Sequence, residues 1–71
     1  MDELVTAEFY EDAALETLVG AIDLYKRHMT SQAREIAWRL ARFRQAEGLH
    51  VVLIDKNGEE AGRFYVAAWK C

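Results

Sequence analysis

Apolar residues recur at two different periods along this chain, and the change comes at Gly48. Before it, Leu15, Leu18, Ile22, Tyr25 and Met29 follow a three-four-three-four spacing. That spacing predicts a helix over residues 13–28 with a narrow seam suited to packing on another helix. Asp12 stands where an N-cap would, and Lys26, Arg27 and His28 fall at the negative end of the dipole. Ala33, Ile36, Ala37, Leu40 and Phe43 repeat the helical period and predict a second helix over residues 30–47. Thr30 or Ser31 would cap it, and Gly48 would stop it as a left-handed residue. The link between the two is short, so they should run antiparallel. After Gly48 the stretch Leu49-His50-Val51-Val52-Leu53-Ile54 is β-branched and nearly all apolar, as in a strand buried on both faces. Asp55-Lys56-Asn57-Gly58-Glu59 reads as a hairpin turn, either a two-residue type I′ loop or a type I turn with a bulge at Gly58. The return strand covers residues 60–69. Residues 4–10 fit neither period: they read as a short strand able to complete a three-stranded sheet, or as the frayed start of the first helix. The expected architecture is a single α+β domain over residues 1–71: two antiparallel helices followed by a C-terminal β-hairpin.

Size adds a constraint. A chain of 71 residues buries only about 60% of its unfolded surface and gains little stability from that. Small chains make up the deficit with disulfides, metals, dense packing or self-association. Cys71 is the only cysteine, and with His28 and His50 it forms no metal-ligand spacing. Apolar residues make up 52% of the chain, which leaves dense packing or a homodimer, held by sheet surface or by the 15–29 seam. No signal peptide and no membrane-length apolar run is visible, and an unpaired cysteine suits a reducing compartment, so the expected location is cytoplasmic.

Charge is mild in total and uneven in place. The net charge is −3, which argues against a dedicated polyanion binder. Asp2, Glu3, Glu8, Glu11, Asp12, Glu16 and Asp23 precede the first basic residue, whereas Lys26, Arg27, Arg34, Arg39, Arg42 and Arg44 meet only Glu35. The two regions are complementary and should pair, within or between chains.

The chemistry that stands out is a stripe on the second helix: Arg34, Trp38, Arg42 and Gln45, three or four residues apart. Tryptophan flanked by arginines at i−4 and i+4 is the composition of a protein-binding surface, and guanidinium groups stack on indole. Tyr65 and Trp69 on the hairpin extend the candidate surface. The competing reading packs Trp38 under the hairpin or in a dimer seam with the arginines reaching outward. The helix and hairpin together also resemble the last helix and wing of a winged helix-turn-helix domain. That resemblance would set Arg34, Arg39, Arg42 and Lys56 against phosphates or base edges. Residues 55–66 do not make an EF-hand, since Gly should stand sixth and Glu twelfth, where this chain has Glu60 and Val66. No nucleophile–base set and no phosphate loop is present. The expected function is therefore non-enzymatic, without cofactor, metal or small-molecule substrate. It is that of a protein-interaction module acting as a regulator or inhibitor of a larger partner, as compact accessory proteins of phage and mobile elements do. A DNA- or RNA-binding regulator is the alternative.

Overall fold

The computed structural model describes residues 3–68. It contains a four-stranded antiparallel sheet crossed on one face by one α-helix. The strands are β1 (Leu4–Tyr10), β2 (Leu18–Tyr25), β3 (Gly48–Ile54) and β4 (Glu60–Ala67), and the helix is α1 (Met29–Phe43), entered through a 3-10 turn at Lys26–His28. The sheet order is β2-β1-β3-β4. Two hairpins thus meet along β1 and β3, with α1 joining one to the other.

Two antiparallel helices plus a hairpin is therefore the wrong architecture. Residues 13–28 form a loop, a strand and a 3-10 turn. The three-four spacing there was coincidence, because Leu18 and Ile22 lie on opposite faces of β2 and are both substantially exposed. Leu-Val-Gly-Ala-Ile-Asp-Leu-Tyr holds β-branched and aromatic residues that suit a strand, and a glycine that weakens a helix interior. With β1 beside it to supply a hydrogen-bonding ladder, local helical preference loses. The 15–29 seam does not exist, so it cannot hold a dimer. The strand at Leu4–Tyr10 is present and central rather than peripheral, paired on both sides.

The core lies between α1 and one face of the sheet. Along β1 burial alternates at period two: Val5, Ala7 and Phe9 face the helix and are buried. Leu24 of β2, Leu49, Val51 and Leu53 of β3, and Val66 of β4 share that face and are buried. α1 meets them with Ala33, Ala37 and Ala41, each fully buried and four residues apart. Alanines at this spacing let the helix axis come close to the strands. The larger residues then flank the contact, with Leu40 reaching Gly20 of β2. A side chain on Gly20 would sit 3.3 Å from Leu40 Cδ2. The helix is accordingly rotated from the expected face toward Ala41 and Trp38, which leaves Phe43 86% exposed.

The second hairpin takes one of its two expected turns, and the helix end before it differs from expectation. The turn is the type I form: the Gly58 amide donates to the Asp55 carbonyl at 3.0 Å, and Gly58 takes φ +81°. The Asp55 carboxylate accepts from the amides of Asn57 and Glu59, both at 2.9 Å. This register places Phe64 opposite Val51 and Val66 opposite Leu49, all on the helix side. The left-handed residue after α1 is Gln45 (φ 59°), not Gly48. Ala46 N–H donates to the Ala41 carbonyl at 2.9 Å and Gln45 N–H to that of Arg42 at 3.1 Å, which is the Schellman arrangement. Gly48 instead opens β3. A Cβ there would collide with the Tyr65 hydroxyl and the Val66 carbonyl.

Candidate partner-binding groove

The outer flank of α1 runs beside β4, which is an edge of the sheet. Arg34 lies over the Phe64 ring, 5.3 Å from its centroid, and Arg42, Gln45 and Ala46 share a hollow with Ala68. Helix and strand therefore advance in the same sense. Eight residues of helix rise about 12 Å and four of strand about 13 Å, so Arg34, Trp38 and Arg42 keep level with Phe64, Val66 and Ala68. Between the two elements is an open groove of about 690 Å³, bounded by Ser31, Arg34, Glu35 and Trp38 on one side and Tyr65, Val66 and Ala67 on the other.

Electrostatics separate the arginines of α1 and its C-terminal end into two kinds. Arg39 is bound by Glu35 at 2.8 Å, and Arg44 by Glu11 at 3.1 Å. Arg34 and Arg42 have no carboxylate partner among the described residues; they rest on aromatic rings instead. The Arg42 guanidinium is 4.8 Å from the Trp38 ring centroid. Stacking restrains a guanidinium while leaving its N–H groups at the rim free to bind an anion. Elsewhere the complementary charges are spent within the chain: Glu3 meets Lys26 at 3.7 Å and Lys56 at 3.5 Å.

The strand side of the groove offers backbone. Ala68 N–H donates to the Glu47 carbonyl at 2.8 Å, which makes 47 and 68 a hydrogen-bonded pair of the β3–β4 ladder. Antiparallel ladders alternate, so Gly62, Phe64 and Val66 turn their amides and carbonyls toward β3. Arg63, Tyr65 and Ala67 turn theirs outward, to the free edge.

The six expected binding residues are divided by this geometry. Arg34 and Trp38 line the groove, with Trp38 half-buried and packed against the core. Arg42 and Gln45 line the adjoining hollow. Tyr65 borders the groove at the strand edge, but its ring belongs to the other face of the sheet, 4.7 Å from the His50 ring. Trp69 lies outside the described residues. Phe64, the platform for Arg34, was missed because strand register alone decides which face it occupies. The resemblance to a winged helix-turn-helix is not sustained: α1 is the one α-helix among the described residues, and Lys56 at the hairpin tip pairs with Glu3. Among the described residues no group of three or more His, Cys, Asp or Glu could hold a metal, and no helix is long and apolar enough to cross a membrane.

Two other polar features shape the open face and the loop before β2. Tyr10 donates its hydroxyl to the Glu8 carboxylate at 2.9 Å, and this bond raises the phenol pKa. The Asp12 carboxylate accepts from the amides of Thr17 at 2.9 Å and Glu16 at 3.1 Å, which lowers its pKa and pins the loop.

These features define a ββαββ domain with a groove between its helix and a free strand edge. No family model, no curated protein and no solved structure matches the chain.

Proposed function

We propose that this chain is a protein-interaction module that binds a larger partner through the groove between α1 and β4, and so regulates or inhibits it. The observation that carries the reading is the pair of arginines without carboxylate partners among the described residues, on either side of Trp38 and level with an open strand edge. Tryptophan and arginine dominate protein-binding hot spots because each brings large contact area and directional hydrogen bonding. The groove is open and sits on a rim, which suits a macromolecular partner better than a small substrate.

A photoreactive amino acid in place of Glu35 tests this in cells of the source organism. The expected result is a discrete protein adduct, competed by excess unmodified chain and lost when Arg34 and Arg42 are both replaced by Glu. Adducts confined to nucleic acid, or adducts indifferent to the arginines, would overturn the reading.

A further inference from the structure

We infer that the partner segment is an extended acidic strand, added to the free edge of β4 and carrying the pattern acidic–x–apolar–x–acidic. This rests on the protein-binding reading and specifies the chemistry of the partner. Three observations lead to it. Among the described residues the outward amides and carbonyls of Arg63, Tyr65 and Ala67 are an unfilled ladder, and strand addition fills one with main-chain hydrogen bonds. The helix beside that ladder bears two cations without carboxylate partners among the described residues, so the side chains facing it should be anionic.

The third observation is spacing. An added strand lies about 4.8 Å beyond β4, and every second side chain points to the helix side. Same-face residues two apart are separated by about 6.6 Å and those four apart by about 13 Å. Arg34 and Arg42 are about 12 Å apart along the helix, with Trp38 midway. A carboxylate opposite Arg34 therefore leaves the residue two further on over Trp38 and the residue four further on opposite Arg42. The central residue should be apolar, to cover the indole. The pattern is symmetrical, so it serves an added strand in either direction.

The probe is a blocked nine-residue peptide, Thr-Thr-Asp-Thr-Leu-Thr-Glu-Thr-Thr, titrated into the full chain and followed by amide hydrogen exchange. Binding should slow exchange at Arg63, Tyr65 and Ala67 while leaving Gly62, Phe64 and Val66 unchanged. Arg34→Glu and Arg42→Glu should each weaken it by about tenfold or more, since each removes a charge-assisted pair. Lys56→Glu, at the hairpin tip and outside the groove lining, should leave affinity intact and controls for net charge. N-methylation of the peptide at alternate amides should abolish binding.

Binding without new protection at the edge, and indifferent to N-methylation, would mean simple ion pairing and overturn strand addition. Equal affinity for a short oligothymidylate would overturn it in favour of a nucleic acid. A doubled native mass, with the same three amides protected before any peptide is added, would show that a second copy fills the edge, and would overturn it too. Absence of peptide binding at millimolar concentration, with the cross-linked protein adduct preserved, would remove strand addition alone and leave the protein-binding reading standing.

Discussion

The two faces of the sheet come from alternate residues of the same four strands, yet they are finished in different ways. On the helix side Val5, Phe9, Leu49, Val51 and Leu53 are sealed beneath three alanines. On the other side Leu4, Leu18, Tyr25 and Tyr65 stand about half exposed among polar pairs: Thr6 of β1 donates to Asp23 of β2 at 2.8 Å, and Tyr10 donates to Glu8 along β1 at 2.9 Å. Among the described residues Val52, in the central strand β3, has the one buried side chain there, at 4% exposure. Stability is concentrated on one face. The helix that seals it leaves its outer flank and the neighbouring strand edge free for binding.

The sharpest way to break this contrast is to empty the covered face. Phe9 is the largest fully buried side chain among the described residues. Its replacement by Ala should cost about 3–5 kcal/mol, comparable to the whole stability of a domain this small. Phe9→Ala should therefore be largely unfolded by circular dichroism at room temperature. A cooperative melt near that of the wild type would show that the core does not rest on this ring. Ala37→Leu acts in the opposite sense, by overfilling. Ala37 is fully buried in the middle of the close approach, and the added carbons would lift α1 from the sheet at a cost of about 1–3 kcal/mol. A chemical-denaturation midpoint unchanged by Ala37→Leu would mean that the helix is not seated as tightly as its alanines imply.

The open face should behave differently. Reading residues 13–28 as a helix places Leu18 in a buried seam, where Leu18→Asp would unfold or dissociate the protein. In the fold Leu18 is 53% exposed on an edge strand. The substitution should cost no more than about 0.5–1 kcal/mol in thermal denaturation, and a full loss of structure would show that something covers this face in solution.

That reversal shows what was legible. The hairpin could be read because Asp55 to Gly58 have the chemistry of a turn and the flanking residues are β-branched. α1 could be read because alanine, leucine and arginine favour helix and repeat at its period. Residues 18–25 could not, because an edge strand with apolar residues on both faces imitates a helical spacing, and only pairing with β1 decides between them. Leu15, held left-handed at φ 59° in the loop before β2, carries no turn signal of the kind glycine or asparagine gives. The site was half legible for the same reason. A stripe on one helix is local and can be read from spacing. The strand edge beside it arises from sheet order, which joins residues far apart in the chain.

The smallest effect belongs to neither face but to the loop that joins their first two strands. Asp12 holds this loop by accepting backbone amides from Thr17 and Glu16, and these bonds, the Thr17 bond foremost, lower its carboxyl pKa from the ordinary value of 3.8. A carboxyl whose folded pKa is depressed binds protons more weakly in the fold than in the unfolded chain. Its contribution is therefore complete above the ordinary value and is lost as pH falls through the depressed one. Asp12→Ala should melt below the wild type near neutral pH. The gap should narrow as pH falls below that ordinary value and close once the wild-type carboxyl is protonated as well. Leu4→Ser, on the exposed face, serves as the control, because its offset from the wild type should not change over the same range. If the Asp12→Ala gap is as wide in acid as at neutral pH, the loop is held by its backbone turn, where Leu15 N–H donates to the Asp12 carbonyl at 3.1 Å, and not by the carboxylate.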